Sequence, residues 1–262
     1  SFLSDLNNDA IYDKDFSSSS VYAVSTLAGT GVSGYVDGPS NTAQFGDDLF
    51  AVASDAQGNT YVADPRKNLI RKIDTQGNVT TYVGSENWKN NTKEGFRTAV
   101  DLYYPRAVAV DAQGNLYIYE NHLISVVNSS GQYRVLAGTQ EWGHKDGAAT
   151  DARFRTVSSM AIDQDGNLVV IDEGMLRKIT LTGQGQAVVK TLVGKPNECG
   201  YRDGFGTEAS FSCYDRKSLT IAEDGSIYIA DGHANAIRKY NPTTTELTTI
   251  AGGSGWGDKD GY

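Results

Sequence analysis

Apolar residues along this chain come in short runs of roughly five or six positions, each cut off by a polar, glycine-bearing turn. The segment from Phe50 to Gly84 shows the pattern best: FAVAS, DAQGN, TYVAD, PRKN, LIRKI, DTQGN, VTTYVG. Runs of this length, rich in Val, Ile, Thr and Tyr, predict strands. The Asp-x-x-Gly-Asn insertions predict hairpins, because glycine accepts a positive φ and Asp or Asn can bond the local backbone. The same succession returns at 106–138, 157–194 and 217–252, with "DAQGN" at 111–115, "DQDGN" at 163–167 and "EDGS" at 223–226 in the first turn. Glycines closing the fourth run, Gly29, Gly84, Gly138, Gly194 and Gly252, are spaced by 55, 54, 56 and 58 residues.

A unit of four sequential antiparallel strands, repeated with this period, is one blade of a β-propeller. The expected fold is therefore all-β, with four complete blades at about 50–84, 106–138, 157–194 and 217–252. Partial repeats flank them at 21–29 and 253–262, within a propeller region of 21–262. Helices are not expected, since the long connections between units lack helical periodicity and carry several glycines. Small apolar first strands such as "AVAS" (51–54) and "AVAV" (107–110) suit the crowded axis, and Thr-rich fourth strands the outer rim. Residues 1–20, acidic and serine-rich, read as an N-terminal arm or linker.

The stretch D-x-x-G-N-x-Y-V-A-D at 55–64, followed by N-L-I-R-K-I-D at 68–74, resembles the signature of NHL-repeat β-propellers, and "YIADGHANAIRKY" at 228–240 repeats it. The connections "DGPSNTAQF" (37–45), "DGAATDARF" (146–154) and "DGFGTEASF" (203–211) are similar to that family's linking segment. The resemblance covers about residues 21–262 and implies a six-bladed ring in the whole protein. The second unit departs most: Tyr119-Glu120 stands where the others end in Asp64, Asp172 or Asp231, "HLISVV" replaces the basic third strand, and the connection reads "EGFRTAVDL".

Composition narrows the chemistry. A net charge of −9 and a pI near 4.8 over 262 residues oppose binding to a phosphate backbone, so no nucleic acid is expected as partner. No run of 18 apolar residues exists, so no membrane insertion is expected. "GTGVSG" at 29–34 fits G-x-G-x-x-G but lacks the strand and helix that a dinucleotide needs. Patterns for a nucleophile elbow, a zincin, a Walker A loop or an EF-hand are missing.

Three sets of residues remain as candidates. Tyr35, Trp88, Trp142, Tyr201 and Trp256 lie in the long connections, where flat rings would suit a protein or carbohydrate partner. His122, His144 and His233 could hold zinc near the axis, as the resemblance to propeller amidating lyases (peptidyl-hydroxyglycine cleaving) or related hydrolases implies. Asp64, Glu120, Asp172 and Asp231 could bind Ca²⁺, or each could accept backbone N–H bonds in its own turn, which is the preferred reading. Cys199 and Cys213 share one connection and could form a disulfide, which would imply an oxidising compartment; reduced, buried thiols are the alternative. The function expected is a non-catalytic, extracytoplasmic binding scaffold that presents its long-loop face to a protein or glycan and requires no cofactor. A metal-dependent propeller enzyme using Zn²⁺ or Ca²⁺ is the alternative.

Overall fold

The computed structural model describes residues 24–85, 94–183, 185–214 and 217–253. They form a β-propeller of four blades, each a five-stranded antiparallel sheet. Blade one holds β1 (Gly38–Pro39), β2 (Ala51–Ser54), β3 (Thr60–Asp64), β4 (Leu69–Ile73) and β5 (Asn78–Val83), in the spatial order β1-β5-β4-β3-β2. Blade two repeats that order with β6 (Glu94–Phe96), β7 (Ala107–Val110), β8 (Leu116–Glu120), β9 (Leu123–Val127) and β10 (Gln132–Gly138). Blade three holds β11 (Gly147–Ala148), β12 (Val157–Ile162), β13 (Leu168–Asp172), β14 (Met175–Leu181) and β15 (Ala187–Gly194). Blade four holds β16 (Gly204–Phe205), β17 (Lys217–Ile221), β18 (Ile227–Asp231), β19 (Ala236–Asn241) and β20 (Glu246–Gly252).

The fifth strand corrects the four-stranded expectation. Each long connection first pairs two or three residues with the outer edge of the blade it is about to enter, as Gly38 does with Val79 and Gly204 with Leu247. Such a strand is too short to carry a periodic signal, so it was invisible among the turn residues of "DG". It covers an outer edge that would otherwise present unpaired backbone.

The hairpins form for a local reason. Asp55 Oδ1 accepts the N–H groups of Gln57 and Asn59, Asn59 Nδ2 returns to Asp55 Oδ2, and Tyr61 OH reaches the same oxygen. Asp111 repeats all four bonds with Gln113, Asn115 and Tyr117. One Asp thus fixes both the turn and the first tyrosine of the next strand.

The periodic glycine has a sharper cause. In every blade the fourth strand bulges against the start of the third, as between Leu176 and Arg177. Gly194 there takes φ +93°, and an added Cβ would lie 2.2 Å from Gly174 O. At Gly252 the same atom would meet Asn235 O at 2.1 Å. No side chain fits so close an approach.

The first strands β2, β7, β12 and β17 pack on one another in chain order along the axis. The core lies between blades rather than inside any one of them. Tyr119, Ile124 and Leu136 of blade two meet Phe154, Val157 and Met160 of blade three, and Leu176 and Val193 of blade three meet Phe211, Ile229 and Leu247 of blade four. Stacking thus buries sheet faces that a lone blade would leave wet.

Candidate functional site

In blades one, three and four a buried arginine ties the incoming connection to its blade. Arg177, on β14, donates to Asp172 Oδ2 (2.7 Å), Asp146 Oδ1 (2.8 Å) and the carbonyls of Lys145 and Arg153 (both 2.7 Å), with its guanidinium carbon 4.8 Å from the Phe154 ring centroid. Arg71 does the same with Asp37, Gln44 O, Val36 O and Phe45, and Arg238 with Asp203, Ser210 O, Arg202 O and Phe211. The Asp of each "DG" also accepts the backbone N–H of a fourth-strand threonine, Thr81, Thr191 or Thr249. Charges without water are tolerated here because every one has partners of opposite sign or polarity.

Blade two lacks this arginine and has replaced the whole set. Ser125 stands in its place, and Ser125 Oγ lies 2.7 Å from Tyr133 OH, which donates in turn to Glu120. The longer Glu120 and the added Tyr133 fill the volume; the other blades have Val79, Val189 or Leu247 at the tyrosine position and a phenylalanine where blade two has Leu102.

The second-strand carboxylates are fully buried and bonded, and the expectation that each serves its own turn needs correction. Asp64 accepts from Gly46 N, Glu120 from Tyr103 N, Asp172 from Arg155 N and Thr156 N, and Asp231 from Ser212 N. These donors lie 16 to 19 residues earlier in the chain, in the connection that enters the blade. The carboxylates therefore pin loops to sheets, a long-range role that sequence spacing does not show.

The three histidines go separate ways. His144 is nearly enclosed in blade three, with Nε2 2.9 Å from Glu173 Oε2 and Nδ1 3.7 Å from Asp172 Oδ2. The Asp172 carboxylate and then the Glu173 bond hold its pKa above the ordinary value, against the opposing effect of burial. His122 Nδ1 lies 2.9 Å from Arg155 O, and exposed His233 packs on Tyr214 with ring centroids 4.3 Å apart. Among the described residues no three His, Cys, Asp or Glu side chains are grouped so as to hold one ion.

Around His144 the side of blade three beside the connections assembles a polar cluster under one exposed ring. Arg155 stacks on Trp142 at 5.1 Å, pairs with Glu173 Oε1 at 3.4 Å and reaches Asn197 Oδ1 at 3.4 Å. Glu173 sits at φ +53°, where blade two has Asn121 and a carboxylate is uncommon. Trp142 remains 63% exposed on this support. Tyr35 and Tyr201 are exposed too, with Lys67 Nζ 5.5 Å from the Tyr35 ring, whereas Trp88 and Trp256 lie outside the described residues. Arg155, Glu173 and Asn197 were missed in the sequence. The one available signal was Glu173, an acid in a two-residue turn that elsewhere uses asparagine.

Cys199 and Cys213 are bonded to each other. The bridge closes the connection from blade three to blade four next to the Glu173 turn, since a Cβ on Gly174 would sit 3.6 Å from Cys213 Sγ.

This geometry defines a β-propeller of repeated blades, three of them pinned by a buried arginine, with blade three carrying an exposed aromatic over a partly buried His-Glu-Arg cluster. Comparison with known proteins agrees with the fold. No family model matches the chain. It is 22% identical over 210 residues to Teneurin-4 of Homo sapiens, covering 69% of the chain and 7% of that protein, so the chain spans a small fraction of the length of such relatives. Among solved structures it is similar to an auxiliary nutrient binding protein from Bacteroides ovatus, with a TM-score of 0.51 and 16% identity over 87% of this chain and 64% of that one. It is similar also to a provisionally assigned gluconolactonase, with a TM-score of 0.52 and 11% identity over 78% and 64% of the two chains. Among the described residues no helix is long and apolar enough to cross a membrane.

Proposed function

We propose that this chain is an NHL-type binding scaffold working in an extracytoplasmic, oxidising environment, with a protein or glycan partner docking on the connection side of blade three at Trp142. The observation that carries the reading is Trp142 itself. A tryptophan that merely filled space between blades would be buried; this one is 63% exposed and fixed from beneath by Arg155. Flat rings held on a rigid support bind with small entropic cost, and such residues tend to dominate an interface. Glu173, Asn197 and Arg155 would supply the hydrogen bonds that orient a partner over the ring. The Cys199–Cys213 bond supports the compartment, since disulfides persist where the surroundings oxidise thiols. The repeat motif at 55–74 supports the NHL assignment, and the reading needs no cofactor.

The test is a screen of immobilised glycans and extracellular proteins with the wild-type chain and with Trp142→Ala. A hit should weaken by about 10-fold or more in the variant, as expected for loss of a central aromatic. Binding unchanged in Trp142→Ala would remove this site. Metal analysis of the chain purified without chelators separates the enzyme alternative, which needs stoichiometric Zn²⁺ or Ca²⁺.

A further inference from the structure

The side of the propeller that carries Trp142 has a second aromatic cluster, at the seam between blades one and two. Tyr104, in the connection entering blade two, is 36% exposed and meets Phe50 edge to face, with ring centroids 6.2 Å apart. The Arg106 guanidinium carbon lies 4.6 Å from the Phe50 centroid and 6.0 Å from that of Tyr104. Asp48 stands at the rim, with Oδ2 3.3 Å from Tyr104 OH and 3.5 Å from Arg66 Nε. An exposed ring with a guanidinium against it and a carboxylate beside it is also what Trp142, Arg155 and Glu173 make at the seam between blades two and three.

The Tyr104 backbone is a second observation. It takes φ +52°, although Pro105 follows and pushes the residue before it toward extended backbone. Asn68, Asn121, Asn197 and Asn235 share that positive φ, which a bulky side chain seldom adopts. Tyr104 is held there by its N–H, which donates to Asn68 Oδ1 (2.8 Å) in the β3–β4 turn of the preceding blade. Strain of this kind gathers at binding sites, and Glu173 at φ +53° marks the other cluster in the same way.

The two clusters are also joined. Buried Tyr119, on β8, accepts the Arg106 N–H at its carbonyl (3.0 Å), and its hydroxyl donates to Arg155 O (3.0 Å). One tyrosine thus reaches from one seam to the next and fixes the spacing of the two rings.

We propose that Tyr104 and Trp142 are two subsites of one elongated site for a neutral, linear glycan, which deepens the binding-scaffold reading and rests on Trp142 being a contact residue. A sugar presents C–H groups from its faces and hydroxyls from its edges, so it matches a ring flanked by a guanidinium and a carboxylate. The centre of a protein interface is instead apolar and depleted of charge. Asp48 and Glu173, on a chain of net charge −9, disfavour an anionic glycan. A ligand long enough to reach both rings gains the second contact intramolecularly, so affinity rises with chain length.

The experiment is calorimetric titration of the 262-residue chain with the disaccharide and the hexasaccharide derived from cellulose, mannan, xylan and starch. In the series that binds, the hexasaccharide should bind about 10-fold or more tightly than the disaccharide. Tyr104→Asn keeps a residue suited to positive φ and removes the ring; it and Trp142→Ala should each weaken the hexasaccharide by about 10-fold or more, while Tyr104→Phe stays within about 2-fold of wild type. Equal affinity for the two lengths in the wild-type chain overturns the proposal without any variant, as does no binding in all four series. Hexasaccharide binding that falls in Trp142→Ala but not in folded Tyr104→Asn overturns the shared site and leaves the Trp142 reading standing. A protein partner lost in Trp142→Ala, with no glycan bound, has the same meaning. Hexasaccharide binding unaffected by either change removes both.

Discussion

Replacing Arg177 by serine should be among the most costly single changes in the described structure, and its repair should follow a recipe that the protein itself contains. Arg177 is 1% exposed and makes four bonds, two to carboxylates and two to carbonyls, besides its contact with Phe154. Without it Asp172, fully buried, keeps only the N–H groups of Arg155 and Thr156 and the nearby His144 ring. The Lys145 and Arg153 carbonyls lose a donor at the same time. Breaking a buried ion pair from one side costs about 3–5 kcal/mol, a large part of the roughly 5–15 kcal/mol that holds a typical domain together. Blade two shows the alternative solution in Glu120, Ser125, Tyr133 and Leu102. Carrying it over, as Asp172→Glu, Arg177→Ser, Val189→Tyr and Phe154→Leu together, should regain more than half of the lost stability. Urea unfolding followed by tyrosine and tryptophan fluorescence measures both variants. The reasoning fails if Arg177→Ser alone costs under about 1 kcal/mol, or if the fourfold variant is no more stable than the single one.

Other outcomes follow from the same geometry. Gly194→Ala, with its Cβ against Gly174 O, should cost more than about 2 kcal/mol, whereas Gly166→Ala, with φ +80° but open space around it, should cost about 1–2 kcal/mol; thermal melts of the pair separate steric contact from backbone conformation. His144 should make stability pH-dependent in a definite direction. Its folded pKa lies above its ordinary value near 6.5, so its contribution is fully present below that value and is lost as pH rises through the elevated one. Denaturant midpoints at about pH 6 and pH 8.5 should show this loss, and His144→Gln should flatten it. Exchanging both Cys199 and Cys213 for serine, which opens a loop of sequence separation 14, should cost about 3 kcal/mol by the chain-entropy account; an unchanged midpoint under reducing agent would show that the connection is held by its other contacts.

The four blades, their hairpins and the order of the four longer strands in each were legible in the sequence, whereas the short fifth strand at the outer edge was not. The legible features rest on contacts between residues a few positions apart, such as Asp55 with Asn59, and local contacts leave a periodic trace. The divergence of blade two was legible as well, but its meaning was not. Ser125 and Tyr133 are eight residues apart and Glu120 is thirteen from Tyr133, so they read as unrelated departures until pairing across the sheet brings them together. The candidate site was legible only in part. Trp142 and His144 stand out as residue types, but Arg155, Glu173 and Asn197 are ordinary surface letters whose convergence depends on a connection folding back onto a turn.

The sequence by itself determined a β-propeller of repeated blades, because short alternating strands and obligatory turn glycines are dictated by backbone sterics and local hydrogen bonds. Only the tertiary structure decided which polar residues are buried. Arg71, Arg177 and Arg238 stand in the sequence only as part of a basic third strand, "IRK" or "LRK", and they are enclosed because the connection wraps over the sheet and brings its own aspartate and carbonyls to them. Desolvating a charge is favourable only where partners converge from distant parts of the chain, and that convergence is a property of the packed blades rather than of any segment in them.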